Sequence, residues 1–138
     1  CNVMGPGDRK ANRKKNAIQW MINELKADRD VKMYDNGSHC RDIMHVDDVC
    51  RAIKLVMDAG NYNETYNIGS GKPTTVHEIM TLAKTFTRSR GELLNMEPPQ
   101  FHKNVQTQNF WLDTSKLVLL GFTQHITNEF LVKDLCIA

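Results

Sequence analysis

The residues of this chain that could do chemistry are suited to gripping an anion rather than breaking a bond. Arg41 stands just beyond the dipeptide Asn36-Gly37, at the head of the run Arg41-Asp42-Ile43-Met44-His45-Val46-Asp47-Asp48. Glycine tolerates positive φ and asparagine tolerates it better than most residues, so a turn is expected there. A guanidinium placed after that turn is planar and permanently charged, and can take phosphate oxygens in pairs. The competing reading is a solvated surface arginine, the common fate of that residue type. Asn16 precedes an apolar-periodic run. It either caps a helix or contacts an anion at the positive end of the helix dipole. Gly5 and Gly7 permit either a close approach of backbone to ligand or an ordinary tight turn.

Charge is unevenly placed. The net charge is +2, yet residues 1–15 carry Arg9, Lys10, Arg13, Lys14 and Lys15 against Asp8 alone, a local +4 that leaves −2 for the rest. A local patch of this kind suits a small anion better than a long nucleic-acid track. A charge run is also the ordinary composition of a solvated face.

Other chemistries find no support in the spacing. His39, His45, His77, His102 and His125 are dispersed, and no cysteine–histidine cluster has zinc spacing. Neither G-x-S-x-G nor His-Glu-x-x-His occurs, and Gly69-Ser70-Gly71 is neither a dinucleotide fingerprint nor a Walker A loop. Asp47 and Asp48 are neighbours on an expected helix and so do not face one another. A cap with an exposed neighbour is preferred over an acid–base pair.

The elements that must position these residues follow from periodicity. Asn2 to Met4 reads as a strand end, and Val31–Tyr34 as a short strand. Ala17, Ile18, Met21, Ile22 and Leu25 form one apolar stripe of a helix running from Asn16 to about Ala27. Ile43, Met44 and Val46 supply a strand, with Asp47 or Asp48 capping the helix that Gly60 closes. Glu64–Ile68 is expected as a strand. Thr75-Val76-His77-Glu78 has capping-box spacing ahead of Ile79, Leu82, Ala83 and Phe86. Residues 87–110 are polar, broken at Pro98-Pro99, and carry no clear assignment. Asp113 is expected to cap a short helix stopped by Gly121, and Thr127–Leu135 to form a last helix.

With 138 residues, 41% hydrophobic and 25% charged, the chain has enough apolar content for one packed domain. No run of eighteen apolar residues is present, and neither is a signal peptide, so no membrane span is expected. Cys1, Cys40, Cys50 and Cys136 lack C-x-x-C spacing and read as free thiols in a reducing cytoplasm. The chain begins at Cys1 in what reads as the middle of a β-to-loop passage, which suggests a piece of a longer reading frame.

Four motifs, in order, resemble the extended short-chain dehydrogenase/reductase family of NAD-dependent nucleotide-sugar epimerases and dehydratases. Asn2-Val3-Met4-Gly5-Pro6-Gly7-Asp8 is similar to N-V-Y-G-P-G-D, with Met4 at the usual tyrosine. Arg41 to Val49 is similar to R-D-[FYW]-[IL]-[HY]-V-D-D-V. Tyr66-Asn67-Ile68-Gly69-Ser70-Gly71 matches Y-N-I-G-S-G, and Asp113-Thr114-Ser115-Lys116 with Leu120-Gly121-Phe122 matches D-x-S-K…L-G-[FW]. The resemblance covers nearly the whole chain and only the C-terminal half of the family. It implies an α/β fold: the C-terminal part of a Rossmann-type NAD(P)-binding fold with its small substrate-binding lobe, over residues 1–138. The dinucleotide-binding N-terminal half and its Y-x-x-x-K catalytic pair are absent from these residues.

The resemblance also implies roles. Asn2 would lie near the sugar or its diphosphate, Asn16 at the diphosphate, and Lys32, Met33 and Tyr34 along the base pocket, largely through backbone. Arg41 would neutralise the diphosphate and Asn67 would lie beside the nucleotide. Lys103 stands where the family often has an arginine, and a lysine there binds phosphate as a point charge without the fork. No catalytic residue and no metal is implied. NAD or NADP would serve the complete enzyme and not be bound by this portion alone. The expected partners are a nucleotide-sugar and the missing N-terminal Rossmann half. Family members are often homodimers, and the resemblance leaves the oligomeric state open. No turnover is expected from the chain alone. The alternative from another class is a stand-alone anion-binding or nucleic-acid-binding module using the Arg9–Lys15 patch.

Overall fold

The computed structural model describes residues 1–7, 11–105 and 108–138. Two short parallel strand pairs organise the chain. Strand β1 (Asn2–Met4) leads through a loop to helix α1 (Ala17–Lys26), and α1 leads to strand β2 (Val31–Tyr34). A single 3₁₀ turn at Asp35–Gly37 follows, then strands β3 (Cys40–Arg41) and β4 (Ile43–His45), and helix α2 (Val46–Ala59). Strand β5 (Thr74–Thr75) runs into helix α3 (Val76–Thr87), followed by strand β6 (Leu93–Met96) and helices α4 (Gln100–Val105), α5 (Ser115–Leu119) and α6 (Asn128–Ile137). Strand β1 pairs in parallel with β4, with Asn2 opposite Ile43, and β2 pairs in parallel with β6, with Val31 opposite Leu93. Strand β3 pairs antiparallel with β5, which sets Arg41 opposite Thr74.

Parallel strands are stable when both faces are covered, and β4 shows this within three residues. Successive side chains on a strand point to opposite faces. Ile43 accordingly joins the larger core, built from Ile18, Ile22 and Leu25 of α1, Ile79 and Ala83 of α3, and Leu131, Val132 and Leu135 of α6. Met44 joins a smaller core with Ala52, Leu117 and Phe122. Helices α1, α3 and α6 pack on one another across the larger core, as the apolar stripes of α1 and α3 require.

Several sequence expectations hold in detail. Asn16 caps α1, accepting the Gln19 N–H at 3.2 Å. Thr75 and Glu78 form the expected capping box at α3. The turn before Arg41 has Asn36 and Gly37 at φ 57° and 71°. Helix α5 stops at Gly121 in the left-handed region, with Gly121 N–H donating to Val118 O and Phe122 N–H to Leu117 O. That pair of bonds is a Schellman ending, which glycine enters without strain.

Others are corrected. Helix α2 is capped by His45, whose Nδ1 accepts the Asp47 N–H at 3.1 Å, rather than by an aspartate. Asp47 is exposed and Asp48 is fully buried. The Asp48 carboxylate accepts N–H bonds from His125 (3.1 Å) and Ile126 (2.8 Å) and pairs with Arg51, so it is spent tying α2 to the segment before α6. Gly60 does end α2 but with extended backbone rather than positive φ. Residues 64–68 form no strand, because their backbone pairs with no ladder among the described residues. The unassigned stretch 87–110 contains β6 and α4. Strand β6 escaped notice because its partner β2 lies some sixty residues away, and no local pattern announces such a pairing. Asp113 stands one place before the cap position of α5. Its Oδ1 accepts from both Ser115 N–H (2.9 Å) and Ser115 Oγ (2.5 Å).

Candidate functional site

The candidate anion site is assembled where three chain segments meet. Arg41 leaves the end of β3 half-buried, not in bulk solvent. Its Nη1 donates to Cys40 O at 2.7 Å and to Gln108 O at 2.8 Å. Both acceptors are neutral carbonyls, and among the described residues no carboxylate lies within ion-pair distance of this guanidinium. Burial pushes its pKa below the ordinary arginine value, with the neighbouring Cys40 thiol acting weakly the other way. A partly desolvated cation without a counter-charge is an unsatisfied arrangement, and an anionic ligand would relieve it.

The second segment is the loop carrying Asn67. The Asn67 Nδ2 donates to Asp113 O at 2.9 Å, so Asn67 and Arg41 both hold the 108–113 stretch, one at each end. Phe110 N–H donates to Cys40 O, and Asn109 Oδ1 accepts Cys40 N–H at 3.1 Å, laying that stretch along the edge of β3. The third segment is β1, where Asn2 N–H donates to Asp42 O at 2.7 Å. Asn2, Arg41 and Asn67 therefore belong to one hydrogen-bonded frame, although they are distant in sequence.

The remaining expected residues are placed differently. Asn16 sits at the start of α1 with φ 50°, its side-chain oxygen on the Gln19 N–H, so the cap is formed. On β2, Lys32 is exposed and the Met33 side chain is buried in the larger core, leaving only backbone for any ligand at Met33. Tyr34 is partly exposed, and its ring lies 5.3 Å from that of His102, which in turn meets Phe101 edge-on at 6.0 Å. Lys103, next along α4, pairs with Glu97 at 2.5 Å. The expected residues thus fall into a group tied together around Arg41 and an aromatic group around Tyr34. The six-residue passage through the 3₁₀ turn joins them. Arg9 and Lys10 of the basic patch lie outside the described residues; Arg13, Lys14 and Lys15 are exposed.

Two features were missed in the sequence. His102 beside Tyr34 depends on the β2–β6 pairing, which no local pattern shows. Asp42 is fully buried, and its carboxylate accepts from Ser70 N–H (2.8 Å), Ser70 Oγ (2.6 Å), Gly71 N–H (3.1 Å) and Leu112 N–H (3.2 Å). Its signal was present: an acidic residue directly before three apolar or aromatic strand positions has to find donors if it is buried. The turn Gly69-Ser70-Gly71 therefore spends the Ser70 and Gly71 amides on Asp42. Among the described residues no group of three metal-ligating side chains occurs, and no helix is long and apolar enough to cross a membrane.

The sequence model of the NAD dependent epimerase/dehydratase family matches residues 1–69. GDP-L-fucose synthase 1 of Arabidopsis thaliana is 28% identical over 131 residues, covering 87% of this chain and 39% of that protein. A dTDP-glucose 4,6-dehydratase of Streptomyces niveus is 34% identical over 97 residues, covering 70% of this chain and 28% of that protein. Among solved structures, the UDP-glucose 4-epimerase of Thermotoga maritima, crystallised with UDP-glucose, superposes with a TM-score of 0.85 at 28% identity. It covers 99% of this chain and 42% of that one. The chain thus spans well under half the length of the relatives it matches, and the α/β, Rossmann-type expectation stands. On the strength of the matched residues, the four ordered motifs and the shared fold, the chain belongs to the NAD-dependent epimerase/dehydratase family.

Proposed function

We propose that residues 1–138 are the substrate-binding portion of an NAD(P)-dependent nucleotide-sugar epimerase or dehydratase, and that they hold the nucleotide diphosphate. The observation that supports this most is the half-buried Arg41 guanidinium, which among the described residues donates only to the Cys40 and Gln108 carbonyls, on a hydrogen-bonded frame that also ties in the segments of Asn67 and Asn2. A diphosphate supplies the counter-charge this cation lacks, and the guanidinium fork suits two phosphate oxygens. Tyr34 and the backbone of β2 would take the base, with Asn16 and Lys103 toward the phosphates.

In the whole enzyme the bound nicotinamide would supply hydride transfer. This chain contributes position: it fixes the sugar nucleotide so that the sugar carbon meets the cofactor. The 138 residues contain neither a Tyr-x-x-x-Lys pair nor the glycine fingerprint, so the chain alone is expected to bind without turnover. The parallel strands β1 and β4 present edges on which further strands of the Rossmann sheet would pair.

Calorimetric titration with UDP-, GDP- and dTDP-sugars tests the proposal. Removing a charge-assisted phosphate contact costs roughly 1.5–3 kcal/mol, so Arg41→Ala should weaken binding about 10- to 150-fold. Arg41→Lys should restore part of it, and Lys14→Ala should leave it unchanged. Equal losses in Arg41→Ala and Lys14→Ala would refute the reading, and so would a flat titration of folded, unaltered chain.

A further inference from the structure

We infer that Asp42 is a positioning residue for the diphosphate site, acting through Arg41 and Asn67 without touching the ligand; this rests on the diphosphate reading above. A carboxylate buried with no cation beside it is costly unless its lone pairs are met. Here they are met in full. A carboxylate has about four acceptor sites, and Ser70 N–H, Ser70 Oγ, Gly71 N–H and Leu112 N–H occupy it at 2.6–3.2 Å. No other side chain offers four acceptor sites and no donor in that volume. An asparagine has half the acceptor capacity and would turn an N–H₂ toward N–H groups.

The partners of Asp42 explain the role. Leu112 lies inside the 108–113 stretch, whose Gln108 carbonyl is gripped by Arg41 and whose Asp113 carbonyl is gripped by Asn67. Ser70 and Gly71 end the loop that carries Asn67, and the Asp42 carbonyl receives the N–H of Asn2. One buried side chain and its own backbone thereby fix the three segments bearing Asn2, Arg41 and Asn67. If the carboxylate bonds are lost, the 108–113 stretch is released between its two grips. The guanidinium then loses its fixed direction while keeping its charge.

The test is a double-mutant cycle on this chain with UDP as the probe, using Asp42→Asn, Arg41→Ala and the double variant, each first shown to be folded by circular dichroism. Amide hydrogen exchange at Ser70, Gly71 and Leu112 is read alongside. Asp42→Asn should accelerate exchange at those three amides and weaken UDP binding about tenfold in the Arg41 background. It should have almost no further effect once Arg41 is alanine, because a positioning residue has nothing left to position. A residue that merely stabilised the fold would give additive losses. Ser70→Ala, which removes only the hydroxyl bond, serves if Asp42→Asn does not fold, and should be non-additive with Arg41→Ala in the same way. Additive losses, or unchanged UDP binding in folded Asp42→Asn or Ser70→Ala, overturn this inference while leaving the diphosphate reading intact. No UDP, GDP or dTDP binding by the unaltered chain overturns both.

Discussion

Gly69→Ala probes the packing around Asp42 with no ligand involved. A Cβ at this position would stand 2.7 Å from Asp42 Oδ2 and 3.0 Å from Leu112 Cδ1. The first distance is well inside van der Waals contact, so something must move. The backbone itself would accept alanine, because Gly69 is not among the residues with positive φ. A compatible glycine-to-alanine change stabilises by about 0.4–1 kcal/mol through the unfolded chain, and that sets the opposing term. Relieving the clash requires the carboxylate to withdraw from Gly71 N–H and Leu112 N–H, the two bonds made by Oδ2. Each bond to a charged group contributes roughly 1.5–3 kcal/mol, and stretching rather than breaking them forfeits part of that. The net expectation is a loss of about 2 kcal/mol, in the usual range for an overpacked site. With a urea m-value of about 1–3 kcal/mol/M, the midpoint should fall by roughly 1 M. Urea unfolding followed by tryptophan fluorescence reads this directly. Trp111 adjoins Leu112, so its emission should also shift in the native baseline. An unchanged or higher midpoint would mean that the carboxylate is not confined as described, and the reasoning about Asp42 would fall with it.

Asp48→Ala should cost about 2–4 kcal/mol in thermal or chemical unfolding, since it strands two backbone N–H groups and the Arg51 partner. Thr75→Ala should cost about 1 kcal/mol by the same measurement, the ordinary value of a helix cap. Acid should destabilise the fold. Hydrogen bonds from Arg29 to Glu24, and from Thr75 to Glu78, hold both carboxyls below the ordinary glutamate range. A depressed native pKa gives stability that is complete above the unfolded value of 4.5 and lost as pH falls through the native one. Unfolding midpoints should therefore be flat above about pH 5.5 and decline below about pH 4.5. Burial raises the Cys136 thiol to about 11, whereas Cys50 is exposed, so iodoacetamide at pH 8 should label Cys50 first and Cys136 only with unfolding.

Helices α1, α3 and α6 were legible because each carries a local signal: an apolar stripe, a capping residue, or both. Asn16 and Thr75 were visible as caps for the same reason. Strand β6 was not, since its identity lies in a partner sixty residues away rather than in its own residues. The aspartates of α2 misled because cap propensity is a local average. At this end of the sheet a buried histidine stood one residue earlier, and Asp48 was drawn inward to the 125–126 amides. Arg41 stands out in the sequence as a candidate, but the frame holding it does not. That frame is built from carbonyls and amides, and backbone groups leave no mark on residue type.

The passage Cys40–Asp48 is a case where nearly every position has a separate appointment: a carbonyl for Phe110, a grip on Gln108, a carboxylate for Ser70, alternate cores for Ile43 and Met44, a cap from His45, and the 125–126 amides for Asp48. Gaining or losing one residue there would turn each of these toward the wrong neighbour at once. Drift in chain length over evolutionary time should consequently be absorbed elsewhere, in the unladdered and largely exposed stretch 60–66, and hardly ever in these nine positions.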